Sequence, residues 1–271
     1  MKNTKLFIMI IPIIFLVLGF GGGNSSGNSY QWDKPWTLVW EDNFDGTSLD
    51  TNSWTALVRG ESWNNENQAY LAENATIENG LLVLTSKKEN YNGPSGRVDH
   101  PDQIVTMHYT SAQVETTHKK HWTYGKFEIR AKPVTAGGNG MLSAIWMVPE
   151  DEDWPPEIDI MEMRTNDPDR IYMTSHYGTP ENHLMNSGVH IVENYNFGDD
   201  FHVFGLEWEP GVIRWYIDGV QRYETKKGVP NEPFRLILCP AIGPDWTGDP
   251  DENLQFPNRF EIDWVKVYQR Q

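Results

Sequence analysis

Apolar and polar residues alternate with a period of two along much of the chain after residue 35, which is typical of β-strands with one buried face. The alternation is clearest at 126–132, where Phe127, Ile129 and Ala131 share one face, and at 260–268. Gly, Pro and Asn turn signals separate such segments, and no long segment has the 3.6-residue period of an amphipathic helix. The pattern predicts an all-β, two-sheet jelly-roll sandwich in a single domain.

Turn residues place several of the predicted strands. Asp218-Gly219 is a type I′ turn signal, and Glu209-Pro210-Gly211 indicates a hairpin loop. Short strands are predicted at 81–85, 201–208, 212–217 and 220–223. Residues 90–110 are rich in His, Pro and Asp and match no pattern, so no element is predicted there.

Segment 157–163 combines the alternation with three carboxylates. Glu157 and Asp159 are two residues apart and share a face, whereas strict alternation would send Glu162 to the apolar face. A one-residue bulge near Met161 would return Glu162 to the face of Glu157. Strands normally avoid Asp and Glu. The segment is therefore either a strand with a solvated acidic face or a glycosidase pair, in which one carboxylate is the nucleophile and one carboxylic acid donates a proton.

The composition excludes some classes of binding partner but does not identify the reaction. The formal net charge of −16 argues against binding to nucleic acids or to anionic membrane surfaces. Twelve Trp, eleven Tyr and eleven Phe suit stacking on sugar rings and equally suit a large β core. The single cysteine, Cys239, lies in an apolar run and is predicted to be buried, so no disulfide or cysteine-type metal site forms within one chain.

The first residues differ from the rest of the chain. Lys2 and Lys5 precede an uncharged, mostly apolar segment at 6–20, which predicts a signal peptide at 1–21 and secreted or periplasmic protein. An uncleaved N-terminal anchor is the alternative. Phe20 stands where a lipoprotein signal has cysteine, so lipidation there is excluded. A flexible linker is predicted at 22–35 and the folded domain at 36–271.

Several motifs, taken in chain order, resemble glycoside hydrolase family 16 on its laminarinase-like, endo-β-1,3-glucanase branch. The resemblance covers about residues 36–269 and rests on the motifs LVWEDNFDG at 38–46, NNENQAY at 64–70, YGKFEIR at 124–130, SAIWM at 143–147, EIDIMEM at 157–163 and the closing segment 256–268. It implies a concanavalin-like jelly roll with a concave, open sugar-binding cleft. It also implies retaining chemistry with Glu157 as nucleophile, Glu162 as acid/base and Asp159 assisting between them.

The resemblance further implies a set of residues that contact substrate. They are Trp146, His176, Asn65, Glu66 and Trp246, with Trp63, Arg59 and Trp122 as further candidates. A hydrogen-bonded structural role is the alternative for His176, and a core role is the alternative for Trp146. No cofactor is expected for catalysis. A structural calcium ion is expected at Asn43 or Asp42, the carbonyl of Gly80, and Asp263, although these residues suit plain turns and strands equally well.

The leading interpretation is a secreted endo-glycosidase that hydrolyses β-1,3-glucan by double displacement, acting as a monomer without an obligate protein partner. Leu142-Ser143-Ala144 stands where laminarinases commonly have Trp-Pro-Ala, which leaves the linkage open. The alternatives are a β-1,3-1,4-glucanase, a hydrolase of agar, porphyran or carrageenan, and a non-catalytic glucan-binding protein. The acidic composition disfavours sulfated substrates, and the presence of both glutamates disfavours a non-catalytic protein.

Overall fold

The computed structural model describes residues 30, 32–150 and 154–270. The predicted signal at 1–21 and most of the predicted linker lie outside the described residues. The described part of the chain is almost entirely β-strand, with two single-turn 3₁₀ helices at Ala72–Asn74 and Phe197–Asp199. In this part, no helix has the length and apolar character needed to span a membrane.

Eight antiparallel strands form the larger sheet. They are β1 (Trp36–Asp42), β4 (Ala75–Glu78), β5 (Leu81–Ser86), β10 (Gly125–Lys132), β15 (His202–Glu209), β16 (Val212–Ile217), β17 (Val220–Thr225) and β19 (Asn258–Arg270). Their order is β17-β16-β15-β10-β19-β5-β4, and β1 also pairs with β19. Strand β19 pairs with β1, β5 and β10 along its thirteen residues, so the C-terminal segment ties the middle of this sheet together.

Seven antiparallel strands form the second sheet. They are β2 (Thr55–Ala56), β9 (Val114–Glu115), β11 (Met141–Pro149), β12 (Glu157–Arg164), β13 (Arg170–Thr179), β14 (Asn182–Ile191) and β18 (Phe234–Ile242), in the order β14-β13-β12-β11-β18-β9-β2. Two strand pairs stand apart: β3 (Gln68–Tyr70) runs parallel to β8 (Tyr109–Ser111), and β6 (Tyr91–Pro94) runs antiparallel to β7 (Ile104–Met107).

The hydrophobic core lies between the two large sheets. Phe127, Ile129 and Ala131 of β10 are fully buried, which confirms the face predicted from their alternation. They belong to the same apolar cluster as Ile145 of β11 and Ile158 of β12, so residues of both sheets share one core. The predicted all-β, two-sheet sandwich is confirmed.

Two local predictions have clear outcomes. Asp218 and Gly219 both have positive φ, at 51° and 75°, as the predicted type I′ turn between β16 and β17 requires. Segment 90–110, for which no element was predicted, contains the hairpin β6–β7. Its loop is fixed by His100 Nε2, which lies 2.8 Å from Glu61 Oε2, and by Arg97, which pairs with both Glu61 and Asp99.

Candidate active site

A β-bulge in β12 brings the three carboxylates to one face. Opposite β11, Asp159 pairs with Trp146 and Met161 pairs with Ile145, so Ile160 is the extra residue. The register with β13 shifts over the same residues. Glu162 therefore points to the outer face with Glu157 and Asp159, while the apolar side chains of this strand are buried: Ile158, Ile160, Met161 and Met163. The bulge predicted near Met161 is confirmed.

The larger sheet supports the bulge through the core. Trp215 of β16 is fully buried, and its indole Nε1–H donates a hydrogen bond of 2.8 Å to the backbone carbonyl of Asp159. A bulge disturbs the ladder of hydrogen bonds, and a buried carbonyl without a partner is costly. The indole thus donates to the residue before Ile160, the extra residue, and holds the bulge in place from the core side.

We expect Trp215→Phe to lose activity beyond what its loss of stability explains. The carbonyl of Asp159 would lose its indole donor, which costs about 1–3 kcal/mol of unfolding free energy and loosens the bulge that positions Glu162. Trp208→Phe is a matched control, because Trp208 is also fully buried and donates to a carbonyl, that of Pro230, at 3.0 Å. Both variants should melt earlier, whereas turnover measured well below either melting temperature should fall only in Trp215→Phe. Equal turnover in the two variants would contradict this role.

Burial and mutual repulsion keep protons on the carboxylate cluster. Burial, followed by the charge of Asp159, raises the pKa of Glu157 well above its usual value. Burial raises the pKa of Asp159, which is only 2% exposed, to about 7, and a hydrogen bond with Glu157 opposes that rise. Burial, then the charges of Asp159 and Glu157, raise the pKa of Glu162. The cluster therefore holds protons near neutral pH, as a site that needs a carboxylic acid beside a carboxylate requires.

Hydrogen-bond donors distinguish Glu157 from Glu162. Trp154 Nε1 donates to Glu157 Oε2 at 2.9 Å, and His176 Nε2 lies 3.9 Å from Glu157 Oε1. Among the described residues no side-chain hydrogen bond reaches the Glu162 carboxyl group. Donors favour the ionised form of the carboxyl group that they contact. The arrangement therefore favours negative charge at Glu157 and a retained proton at Glu162.

Trp246 lies next to Glu162 on the outer face. Tyr172 is the residue directly opposite Glu162 on β13, and its ring meets the Trp246 ring edge-on with 4.8 Å between centroids. The Arg164 guanidinium covers the indole at 4.5 Å from its centroid. Trp246 remains 41% exposed, and Asn65 holds its loop by donating to Asp245 Oδ1 at 2.9 Å. The indole is thus a fixed, accessible aromatic surface beside the carboxylates.

Glu66, Arg59 and Trp146 come together around Tyr70. The backbones of Arg59 and Tyr70 form a bridge, and Tyr70 OH donates to Glu66 Oε2 at 3.1 Å. Burial raises the pKa of Glu66, because its hydrogen bonds only partly offset the lost hydration. Trp146 packs on the small apolar cluster of Tyr70, Ala144 and Cys239. Ala144 lies directly opposite Glu162, so this group continues the carboxylate face across β11 and β18.

Comparison with known proteins agrees with this geometry. The family model "Glycosyl hydrolases family 16" matches residues 62–266. The chain belongs to glycosyl hydrolase family 16. It is similar to a β-glucanase of Rhodothermus marinus, at 34% identity over 99% of this chain and 98% of that protein. It is also similar to a glucan endo-1,3-β-glucosidase of Cryptopygus antarcticus, at 34% identity over 86% of this chain and 92% of that protein.

A solved structure extends the similarity to the fold. The catalytic domain of an endo-1,3-β-glucanase (laminarinase) from Thermotoga petrophila RKU-1 superposes with a TM-score of 0.76 at 35% identity, covering 88% of this chain and 99% of that domain. The predicted family and jelly-roll fold are confirmed, and the protein is a glycosyl hydrolase that needs no catalytic cofactor.

Two further aromatic candidates in this family 16 hydrolase are Trp122 and Trp63. The structure places Trp122 in the core, 7% exposed, with its ring centroid 5.5 Å from that of Trp40 and 5.7 Å from that of Phe127. The expectation that Trp122 contacts substrate is therefore wrong, because a lone Trp in a strand-rich sequence carries no sign of which face it takes. Trp63 is exposed, but the Arg97 guanidinium lies 4.0 Å from its centroid and covers one face of the ring.

The residues expected to hold calcium converge on the larger sheet. Strand β1 ends opposite Val265, which places Asn43 near Trp264. Near the start of β5, Leu82 lies opposite Ile262, which places Gly80 at the same level of β19. Asp263 lies between them and also pairs with Arg130 at 2.5 Å. Both carboxylate oxygens of Asp42, the alternative to Asn43, already accept a hydrogen bond at 2.8 Å, one from Phe44 N and one from Trp54 Nε1.

Sequence reasoning missed three side chains at the site. Trp154, which donates to Glu157, could have been found because Trp-Pro-Pro directly precedes the acidic strand. Trp215 and His183 carry no local signal. His183 reaches the site because β14 pairs with β13 in a register that brings its Nε2 within 2.8 Å of His176 Nδ1.

We expect Trp246→Ala to weaken substrate binding with little effect on stability. Removing an exposed aromatic stacking surface should lower kcat/KM about tenfold, mainly through a higher KM, which corresponds to about 1.4 kcal/mol. Trp264→Ala is the control, because Trp264 also carries a stacked cation, Lys266 at 4.7 Å, but lies on the larger sheet. Michaelis–Menten kinetics on soluble glucan compare the two variants. An unchanged KM in Trp246→Ala would exclude this residue from the substrate site.

Proposed function

We propose that this hydrolase is a secreted, retaining endo-β-1,3-glucanase. The observation that carries the mechanism is the bulge in β12, which puts Glu157, Asp159 and Glu162 on one face, with the Trp154 N–H donating to Glu157. Retention requires two carboxyl groups on either side of the scissile bond, close enough for direct attack by one of them. The names of the similar proteins, which include glucan endo-1,3-β-glucosidases and laminarinases, support β-1,3-glucan as the substrate.

In the first step, the Glu157 carboxylate attacks the anomeric carbon while Glu162 protonates the departing glycosidic oxygen. The bond from Glu157 to the sugar forms as the glycosidic bond breaks, and the leaving chain departs with the proton of Glu162. For the attack, the proton that Glu157 and Asp159 share moves to Asp159, and the Trp154 N–H stabilises the Glu157 carboxylate until it attacks.

In the second step, Glu162 takes a proton from water, and that water displaces Glu157 from the anomeric carbon. Glu157 is an uncharged ester at this stage, so one of the charges that raise the pKa of Glu162 is gone and Glu162 can act as a base. The second displacement restores the original anomeric configuration and regenerates the Glu157 carboxylate.

A comparison of polysaccharides tests the substrate. In a reducing-sugar assay that tests laminarin, lichenan, agarose and carrageenan separately, we expect laminarin to be hydrolysed fastest. We also expect long oligosaccharides among the early products. Faster release from lichenan would indicate a β-1,3-1,4-glucanase. Faster release from agarose or carrageenan would overturn the glucan assignment, and binding of laminarin without release of reducing ends would indicate a non-catalytic protein.

Export rests on the sequence of the first residues. Lys2 and Lys5 followed by the apolar segment 6–20 support a cleaved signal. N-terminal sequencing of protein recovered from the medium or periplasm should place the mature N-terminus between Gly21 and Ser29. Membrane-bound protein that begins at Met1 would replace this proposal with the anchor.

Calcium binding and the monomeric state complete the proposal. A calcium ion held by Asn43, the carbonyl of Gly80 and Asp263 would raise the melting temperature without changing turnover, because it stabilises the folded state far from the carboxylates. Thermal unfolding with added calcium or chelator measures this in wild type and in Asp263→Asn. Equal melting in both conditions would remove calcium from the proposal.

Light scattering should give the mass of one chain, and a dimer mass would contradict the monomer.

A further inference from the structure

Two histidines form a chain from the carboxylate cluster to solvent. His176 on β13 is largely buried, and its Nδ1 lies 2.8 Å from Nε2 of His183 on β14, which is exposed. The two imidazole rings are nearly parallel, at 16°, with centroids 5.0 Å apart. This is the edge-to-edge arrangement in which one ring nitrogen donates a hydrogen bond and the other accepts it.

The carboxylates decide which nitrogen donates. His176 Nε2 lies 3.1 Å from Asp159 Oδ2 and 3.9 Å from Glu157 Oε1. Asp159 Oδ2 is buried and receives no hydrogen bond from the described residues, so it needs a donor. A proton on Nε2 faces these oxygens favourably, whereas a lone pair there would be repelled by them. The Nδ1 of His176 must then accept a hydrogen bond, and the donor within reach is His183 Nε2–H.

Neighbouring side chains keep this pair neutral and in place. Burial lowers the pKa of His176, and burial followed by the neighbouring His176 lowers the pKa of His183, so each carries one ring proton at neutral pH. The indole of Trp154 covers His183 with 4.9 Å between centroids, and the same indole donates to Glu157. Gly178 lies opposite His183 in the β13–β14 ladder and leaves room for the ring.

We propose that His183 is a positioning residue that fixes His176 in the tautomer whose Nε2–H faces Asp159. Without the donor from His183, His176 can exchange to the Nδ1–H tautomer, and Asp159 Oδ2 would then have to carry a proton to bond the bare Nε2. The inference deepens the proposed mechanism and rests on it, because Asp159 controls the proton that it shares with Glu157. His183 touches no reacting atom and acts only through His176.

The two histidines set the acidic limb of the pH profile of kcat/KM. Activity requires the Glu157–Asp159 pair to lose a proton, and a donor at Oδ2 favours that loss. The ionisable groups that face this pair come from three strands: Glu162 and Arg164 on β12, Tyr172 and His176 on β13, and His183 on β14. Among them, only His176 changes its hydrogen bonding to Asp159 when His183 is replaced. The basic limb, set by Glu162, should stay in place.

Substitutions at His183 distinguish the effect of its N–H donor from that of its imidazole ring. The side-chain amide of His183→Gln can place an N–H where His183 has its Nε2–H, and His183→Leu has no such donor. We expect His183→Leu to move the acidic limb of kcat/KM up by about one pH unit with KM changed less than about twofold, and His183→Gln to restore the wild-type profile. His190→Leu is the control, because His190 lies on the same strand but packs against Phe197 on its other face.

The tautomer itself can be observed without substrate. Long-range ¹H–¹⁵N correlation spectra of histidine-labelled protein should show His176 as the Nε2–H tautomer in wild type, His183→Gln and His190→Leu, and as a mixture in His183→Leu. A wrong glucan assignment would leave these spectra unchanged, so the two proposals fail separately. An Nδ1–H tautomer in wild type, or a wild-type tautomer and pH profile in His183→Leu, would overturn the role of His183.

Discussion

Replacing Glu157 with glutamine is expected to reduce turnover on glucan by about 10⁴-fold, which corresponds to about 5 kcal/mol of lost transition-state stabilisation. The substitution preserves the volume of the side chain and leaves an amide oxygen to accept the Trp154 N–H, but it removes the nucleophilic oxygen. Initial rates on laminarin measure the effect. Glu224→Gln is the control, because Glu224 lies on edge strand β17 of the larger sheet.

The same substitution should stabilise the fold. Because the pKa of Glu157 is raised in the folded state, ionising it costs stability as pH rises above about 4.5, the ordinary pKa of a glutamate. Glu157→Gln removes that cost, so its melting temperature should exceed that of wild type at pH 7 and match it at pH 4.

Azide should restore activity in Glu157→Ala and give a product of inverted configuration. Near-normal hydrolysis by Glu157→Gln would end the assignment of the nucleophile.

Replacing Glu162 with glutamine is expected to separate the two chemical steps. On natural glucan, whose leaving group needs a proton, turnover should fall about 10³-fold. An activated aryl glycoside needs little protonation, so its covalent intermediate should still form and accumulate, visible as a burst of released phenol. Wild type should lose activity as pH rises through the raised pKa of Glu162, because the acid form donates the proton. That basic limb should be absent in Glu162→Gln.

The configuration of the first product tests both carboxylates together. Early-time NMR of wild-type hydrolysis should show the β-anomer before mutarotation. Detection of the α-anomer first would require a water molecule between carboxyl groups set too far apart for direct attack, and it would refute the double displacement. Glu61→Gln is the control, because Glu61 pairs with His100 beside the β6–β7 hairpin. It should give the same anomer first as wild type, and the same time course of phenol release from an aryl glycoside.

Local spacing was enough to predict the strands and the carboxylates. The period of two located β10 and β19, and the spacing of Glu157, Asp159 and Glu162 required a bulge if all three were to share a face. Those signals lie within a few residues of one another, so no knowledge of pairing between distant segments was needed. The same strand and turn pattern predicted the two-sheet jelly roll, the family motifs implied it as well, and the structure and the comparisons confirm it.

The parts that could not be predicted depend on which strands pair and in which register. His183 matters because β14 brings it to His176, and Trp215 matters because the opposite sheet places its indole beneath Asp159. Trp122 was expected to contact substrate because of the family resemblance, whereas it is buried in the core, and no local pattern around it indicated that packing. The β6–β7 hairpin was missed because Pro94 and Gly93 interrupt the strand pattern.

The hydrogen bond from Trp215 to Asp159 also bears on the order of folding. Its partners are 56 residues apart in the chain and belong to different sheets. Because it joins the two sheets, it forms only when the sheets dock on one another. A refolding intermediate with its strands formed but its sheets undocked would lack the donor that secures the register of β12. Enzymatic activity should therefore return after the far-ultraviolet circular dichroism signal, which makes the catalytic strand an internal reporter of completed assembly.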